Sequence, residues 1–432
     1  MLLRPAIKFS AVLVFFAALA SSQSLTPEQG KILASVNANQ GKSAALLKQL
    51  VNINSGTLNP QGVRRVADVL RPQFESLGFS CQFLSMEEVH RAGHLICNRE
   101  GTHGKRVLLI GHMDTVFEPD SPFQNFEENG GKTVGPGVAD MKGGLVIMLS
   151  ALKALNENHA LDGTRITVFL TGDEERPGEP LSIARRDLIE AGKHSDAALE
   201  FEGGVQIGGR DAASIARRSA YQWSLTTTGK TAHSSGVFSK SVGDGAIYEL
   251  ARILDAFNKE LHETGLTYNV GLVVGGTKAS YDPKTATGTA AGKVNVVPAQ
   301  AQAVGDIRTV TDEQYQRVQD KMRQIVSQHL PGTSAEIKFE EGYPSMPDTA
   351  GNKELLRELN EVNRSLGMDI MEPLDPSRRG AGDLSFVAPY VASISGLGAY
   401  GAGAHAPGES IEMKRQPDQS RRVALYIYRL TR

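Results

Sequence analysis

The sequence predicts an α/β protein in which a central mixed, mostly parallel sheet is covered by helices and interrupted by a small α+β sandwich. Three observations lead there. Helix-like and strand-like segments alternate over about residues 24–212, alternating strands take over in about 213–342, and short strands with reactive residues return in about 343–432. At 432 residues, the chain also exceeds what one ordinary core holds.

Taken in order, residues 1–23 carry a signal peptide pattern: Arg4 and Lys8, an apolar run from Phe9 to Ala20, and small Ala18 and Ala20 before polar residues. The run is shorter than the ~20 apolar residues that span a bilayer. A secreted or periplasmic location is therefore expected, with no membrane contact after signal removal. Residues 42–52 and 61–77 read as amphipathic helices. GFSCQFL and HLICNRE read as short strands; an oxidising compartment joins Cys81 to Cys97 if their register brings them together, and otherwise they are buried thiols. RVLLIG, RITVFLTG and DAALEF are apolar runs bounded by glycine or polar residues, the mark of buried strands. MKGGLVIMLSALKAL reads as a helix opening directly after Asp140. In the interrupting domain RRSAYQWSLTTTGK, TYNVGLVVGG, GKVNVVP, AQAVGDIRTV and AEIKFEEG read as strands, and 243–263 and 312–329 as helices. A helix over 352–366 then returns the chain to the larger domain.

Charge narrows the function by exclusion. Lysine plus arginine (46) nearly balance aspartate plus glutamate (48), which removes the electrostatic case for nucleic acid or an anionic membrane as partner.

The reactive residues cluster where strands end. His112 directly follows a buried strand, and in open α/β sheets the carboxyl ends of strands are where sites are built. Asp114, two residues on, is placed to fix the ring tautomer of His112. Asp140 sits in TVGPGVADMKGG, a tight turn that fixes where its carboxylate emerges. Glu174 and Glu175 follow another strand and point in different directions, so one is free to bind metal while its neighbour acts as a base. Glu200 and Glu202 close a third strand on one face, and only one of them is needed as a ligand. His405 lies in the glycine-rich loop GLGAYGAGAHAPGES. Two histidines and several carboxylates without thiolates suit a catalytic metal pair rather than a closed structural site.

In GHMDTV, GPGVADMKGG, TGDEE, FEGG, TGKTAHSSG, NVVP, DIRT and GAHAPGE, in that order, the chain resembles the glutamate carboxypeptidase and aminoacylase family of co-catalytic zinc hydrolases. The resemblance implies a zinc-exopeptidase-like catalytic domain (24–212 and 343–432) interrupted by a ferredoxin-like lid and dimerisation domain (213–342). It implies two Zn2+ per chain, replaceable by Co2+ or Mn2+, with His112, Asp140 and Glu202 on one ion and Asp140, Glu175 and His405 on the other. It further implies Glu174 as general base, His233 as an oxyanion-stabilising residue that reaches a neighbouring subunit, and Asn295, Arg308 and the Gly380 loop as substrate contacts. Two departures stand out. Gly203 follows Glu202 where the family commonly has proline, leaving Glu200 as a competing ligand, and Arg378 and Arg379 before Gly380 have no assigned role.

The activity this implies is hydrolysis of an amide bond next to a free carboxylate, with release of a C-terminal amino acid. The substrate would be a small peptide, a folate-like conjugate or an N-acyl amino acid, and the enzyme a homodimer. Aminoacylase or dipeptidase specificity is the alternative within the family. A secreted solute-binding protein without catalysis is the alternative outside it, and metal content separates the two.

Overall fold

The His103–His112 strand shows why the fold is layered. Val107 and Leu109 enter one buried cluster with Leu47, Val66 and Leu145, whereas Leu108 and Ile110 enter another with Phe169, Leu188 and Leu384. Successive side chains of a strand point to opposite faces, so the sheet is buried on both sides. The computed structural model describes residues 25–432 except 130, 131 and 284; residues 1–23, expected to be a signal peptide, lie outside the described residues.

The central sheet orders its six strands Ser80–Met86, Arg91–Arg99, Thr164–Thr171, His103–His112, Ala197–Glu200 and Ser393–Ser395. The first two junctions are antiparallel and the next three parallel. This is the mixed, mostly parallel sheet expected. Helices Pro27–Ala38, Gln40–Val51, Pro60–Glu75, Gly143–Glu157, Ala350–Ser365 and Gln416–Leu430 cover one face, contributing Ile32, Leu50, Leu70, Leu149, Leu359 and Leu425 to its core. At the antiparallel edge Cys81 stands directly opposite Cys97, and the two form a disulfide.

A second sheet is built wholly from antiparallel pairings. Its strands are Thr267–Tyr268, Gln300–Arg308, Tyr221–Gly229 and Thr333–Phe339 in spatial order, with Leu272–Gly276 also pairing Gln300–Arg308. Helices Ala246–Glu260 and Asp312–Val326 pack on it around Trp223, Leu225, Phe257, Ile307 and Met322. The chain enters and leaves this region side by side, since Ala220 and Tyr343 exchange backbone hydrogen bonds of 2.9 and 3.0 Å.

GKVNVVP departs from its expected strand. Val294 is fully exposed, and Val296 makes only an isolated bridge to His233. Gly292 and Pro298 bracket the segment, and proline cannot donate to a sheet ladder. A hairpin of Lys278–Asp282 with Thr287–Ala291 precedes it instead.

Candidate metal centre

Three neighbouring parallel strands end together and carry most of the reactive side chains. His112 is the last residue of the middle strand, Asp173–Glu175 follow Thr171 on one side, and Glu202 follows Glu200 on the other. Asp140 arrives on a turn that begins at Gly137, whose φ of 75° favours glycine, and is joined to Met141 by a cis peptide. The helix after this turn can sit close because position 144 is glycine: a Cβ there would lie 2.0 Å from the Phe201 carbonyl oxygen.

The side chains converge around the two imidazoles. Asp140 Oδ1 lies 3.0 Å from His112 Nε2, while its Oδ2 lies 3.1 Å from His405 Nε2. Glu202 Oε1 lies 3.3 Å from His112 Nε2, and Glu175 Oε2 lies 3.1 Å from His405 Nε2. Glu174 stands beside them, with a carboxylate oxygen within 4.8 Å of ligand atoms of His112 and Glu202. Asp114 supports the group from below: fully buried, it accepts from the Thr57 hydroxyl (2.6 Å) and from the backbone N–H groups of Glu174 and Glu175 (3.1 Å each). His112 Nδ1 faces the Asp114 carbonyl at 3.1 Å and its carboxylate at 3.5 Å.

Glu200 and Glu202 do not share an environment. The strand ends at Glu200, which is buried against the Arg217 guanidinium and accepts from Leu384 N–H at 2.9 Å. Glu202 is the carboxylate facing His112. Gly380 lines the same cavity, of about 560 Å³, with Asp140, Glu174, Glu202, Arg379 and His405. His233, Asn295 and Arg308 do not line it. They sit on the second sheet's region, where the Asn295 carbonyl accepts from Ser234 N–H, His233 bonds the Ser235 hydroxyl and Arg308 pairs with Asp306.

The electrostatics are those of a site that wants positive charge. Burial alone would lower the His112 pKa, but Asp114, Asp140 and Glu202 hold it well above the usual imidazole range. Hydrogen bonds that its ring donates to Asp140 and Glu175 raise His405 to about 11. Burial pushes Glu175 up to about 7, and pushes Glu174 well above the carboxylate range with help from Glu175, Asp383 and Glu202, against the pull of His112. Glu175 Oε1 is buried without a hydrogen-bond partner. Two imidazoles and carboxylates that face one another fit divalent cations, which would replace the protons the site otherwise retains.

Several supporting residues escaped the sequence reading. Glu409 accepts from the backbone N–H groups of Gly137, Ala139 and Asp140, and the signal for it in the sequence is its place at the end of GAHAPGE, four residues after His405. The Tyr343 hydroxyl donates to the Glu174 carbonyl (2.8 Å) and accepts from buried Arg185, which pairs with Asp173 and Asp383. Arg379, to which the sequence assigns no role, is part of the cavity wall.

The chain matches known proteins along most of its length. It is 27% identical to carboxypeptidase G2 of Pseudomonas sp. (strain RS-16) over 72% of this chain and 70% of that protein. It is 26% identical to succinyl-diaminopimelate desuccinylase of Coxiella burnetii over 85% and 93% respectively. Its fold matches that of a tripeptidase from Staphylococcus aureus with a TM-score of 0.68 at 20% identity, over 91% of this chain and 99% of the other. Peptidase family M20/M25/M40 matches residues 108–430, so the chain belongs to that family and is a hydrolase of amide bonds.

Proposed function

We propose that this hydrolase uses two zinc ions to cleave an amide bond next to a free carboxylate, releasing a C-terminal amino acid in the manner of a glutamate carboxypeptidase. The observation that carries the reading is Asp140, whose two oxygens face two different histidines, as a bridging ligand would require. His112, Asp140 and Glu202 would hold one ion, and Asp140, Glu175 and His405 the other; cobalt or manganese suits the same donors. Bound ions supply Lewis acidity toward the scissile carbonyl.

The chain's own groups do the rest. Glu174, half-buried beside His112 and Glu202, takes the proton of the attacking water and returns it to the leaving nitrogen. Asp114 orients His112 and, through the Glu174 and Glu175 N–H groups, holds base and ligand in one register. Gly380 lines the substrate cavity. Arg308 offers a guanidinium fork to the substrate carboxylate, and Asn295 offers a further polar contact to the substrate. His233 stabilises the oxyanion from a neighbouring subunit, in keeping with its place outside its own chain's cavity. The Cys81–Cys97 disulfide supports a secreted or periplasmic location.

Similarity to carboxypeptidase G2 favours a substrate ending in a free carboxylate. Deacylation of N-acyl amino acids is the second reading, favoured by the longer match to a desuccinylase. A substrate panel run with the zinc-loaded protein separates them: turnover of acyl amino acids alone would displace the carboxypeptidase reading. Glu174→Ala should retain both ions and lose nearly all turnover, and surviving activity would remove Glu174 from the role of base.

A further inference from the structure

The two departures of this sequence from the motifs it otherwise matches meet in space. Arg379 Nη1 donates to the Gly203 carbonyl at 2.9 Å, and its Nη2 donates to Glu202 Oε2 at 3.2 Å. The other oxygen of that carboxylate, Oε1, is the one that faces His112. The Arg379 side chain is only 15% exposed, so little water competes for the fork. Glu200, the other carboxylate in reach, is taken up by Arg217 and the Leu384 N–H.

We propose that Arg379 is a positioning residue that holds Glu202 as a one-oxygen metal ligand. The inference rests on the two-ion reading and concerns only how one of its ligands is set. A carboxylate followed by Gly203 and Gly204 has two freedoms: it can rotate to offer both oxygens, and its backbone lacks the stiffness a proline ring would lend. The planar guanidinium removes both at once, since one N–H occupies Oε2 and another ties down the carbonyl of the next residue. The coordination position that a second oxygen would fill stays free for water or substrate, as a catalytic site requires. A lysine carries the same charge on a single nitrogen and does not reproduce the planar fork.

The test uses full-length wild type, Arg379→Met and Arg379→Lys, each stripped of metal. Zinc affinities are measured against a chromophoric chelator, and visible absorption is recorded during cobalt titration. In Arg379→Met one of the two zinc affinities should fall about 10–100-fold while the other holds, the size expected for loss of an outer partner of a metal ligand. The cobalt bands should weaken as a second Glu202 oxygen raises the coordination number. Arg379→Lys should show the same changes at smaller size, and it carries the test if the methionine variant fails to fold. Wild-type zinc affinities and cobalt spectra in a folded variant, with only KM raised, would make Arg379 a substrate contact and overturn the inference alone. A wild-type chain that took up no zinc would overturn the two-ion reading and this inference with it.

Discussion

Glu409 shows how one buried side chain joins the loops that carry Asp140 and His405. It follows His405 by four residues, yet its carboxylate accepts from Gly137 (3.1 Å), Ala139 (2.7 Å) and Asp140 (2.9 Å). Burial pushes its pKa up to about 7 while those three donors pull it down. Glu409→Ala leaves three N–H groups without their partner and should cost at least about 2 kcal/mol in urea unfolding, together with weaker metal uptake; Glu409→Gln, which keeps an acceptor oxygen, should cost less. Wild-type unfolding in the alanine variant would show that water replaces the carboxylate. The proposed ligands set a pH dependence of their own. Glu175 and His405 carry pKa values raised to about 7 and about 11, so the ion-free site holds protons at neutral pH that a cation must displace. Zinc affinity should therefore climb as pH rises from about 6 to about 8, with proton release visible calorimetrically in buffers of different ionisation heat. A flat profile would mean that the ligand pKa values are not raised.

Strands buried on both faces announce themselves, and with them the site. RVLLIG and RITVFLTG are nearly all apolar because helices cover each side, and their ends mark His112 and Glu174 without further information. Where a strand meets water or a distant partner, the letters say less. GKVNVVP alternates like a strand but lacks a sheet neighbour, and the Lys278–Asp282 hairpin is made of small and polar residues with no apolar stripe. Helix Pro27–Ala38 went unread despite its Thr26–Gln29 capping box, because its buried positions are only Gln29, Ile32 and Val36. The choice between Glu200 and Glu202 was equally closed, since it depends on Arg217 and on Arg379, the latter 177 positions from Glu202. Cys81 and Cys97 needed a register that only the antiparallel pair supplies. Their bond closes a loop with a sequence separation of 16, so Cys81→Ser with Cys97→Ser should lower the free energy of unfolding by about 3 kcal/mol. A urea midpoint unchanged from wild type would show that strand pairing alone holds this edge.

The larger arrangement turns on the paired crossing at Ala220 and Tyr343. Because the Tyr343 hydroxyl also bonds the Glu174 carbonyl, the junction of the two sheets' regions is tied directly to Glu174. The second region nevertheless keeps His233 out of its own chain's cavity, and it exposes an apolar patch. Phe238 lies against Tyr248 at 5.6 Å between ring centroids, and neighbouring Ile247 reaches over Gly275 of the Leu272–Gly276 strand. Tyr248 is 55% exposed and Val273 on the same strand 52%, and large exposed apolar groups gathered in one place mark an interaction surface. If this face joins two copies and brings each His233 to the other's cavity, the patch and the histidine belong to one device. Tyr248→Asp combined with Val273→Asp should then convert a dimer to a monomer in light scattering, lower kcat as His233→Ala does, and leave zinc content untouched. A monomeric wild type, or a dissociated variant with full activity, would separate His233 from any neighbouring subunit and require the lid to bring it over its own chain's cavity.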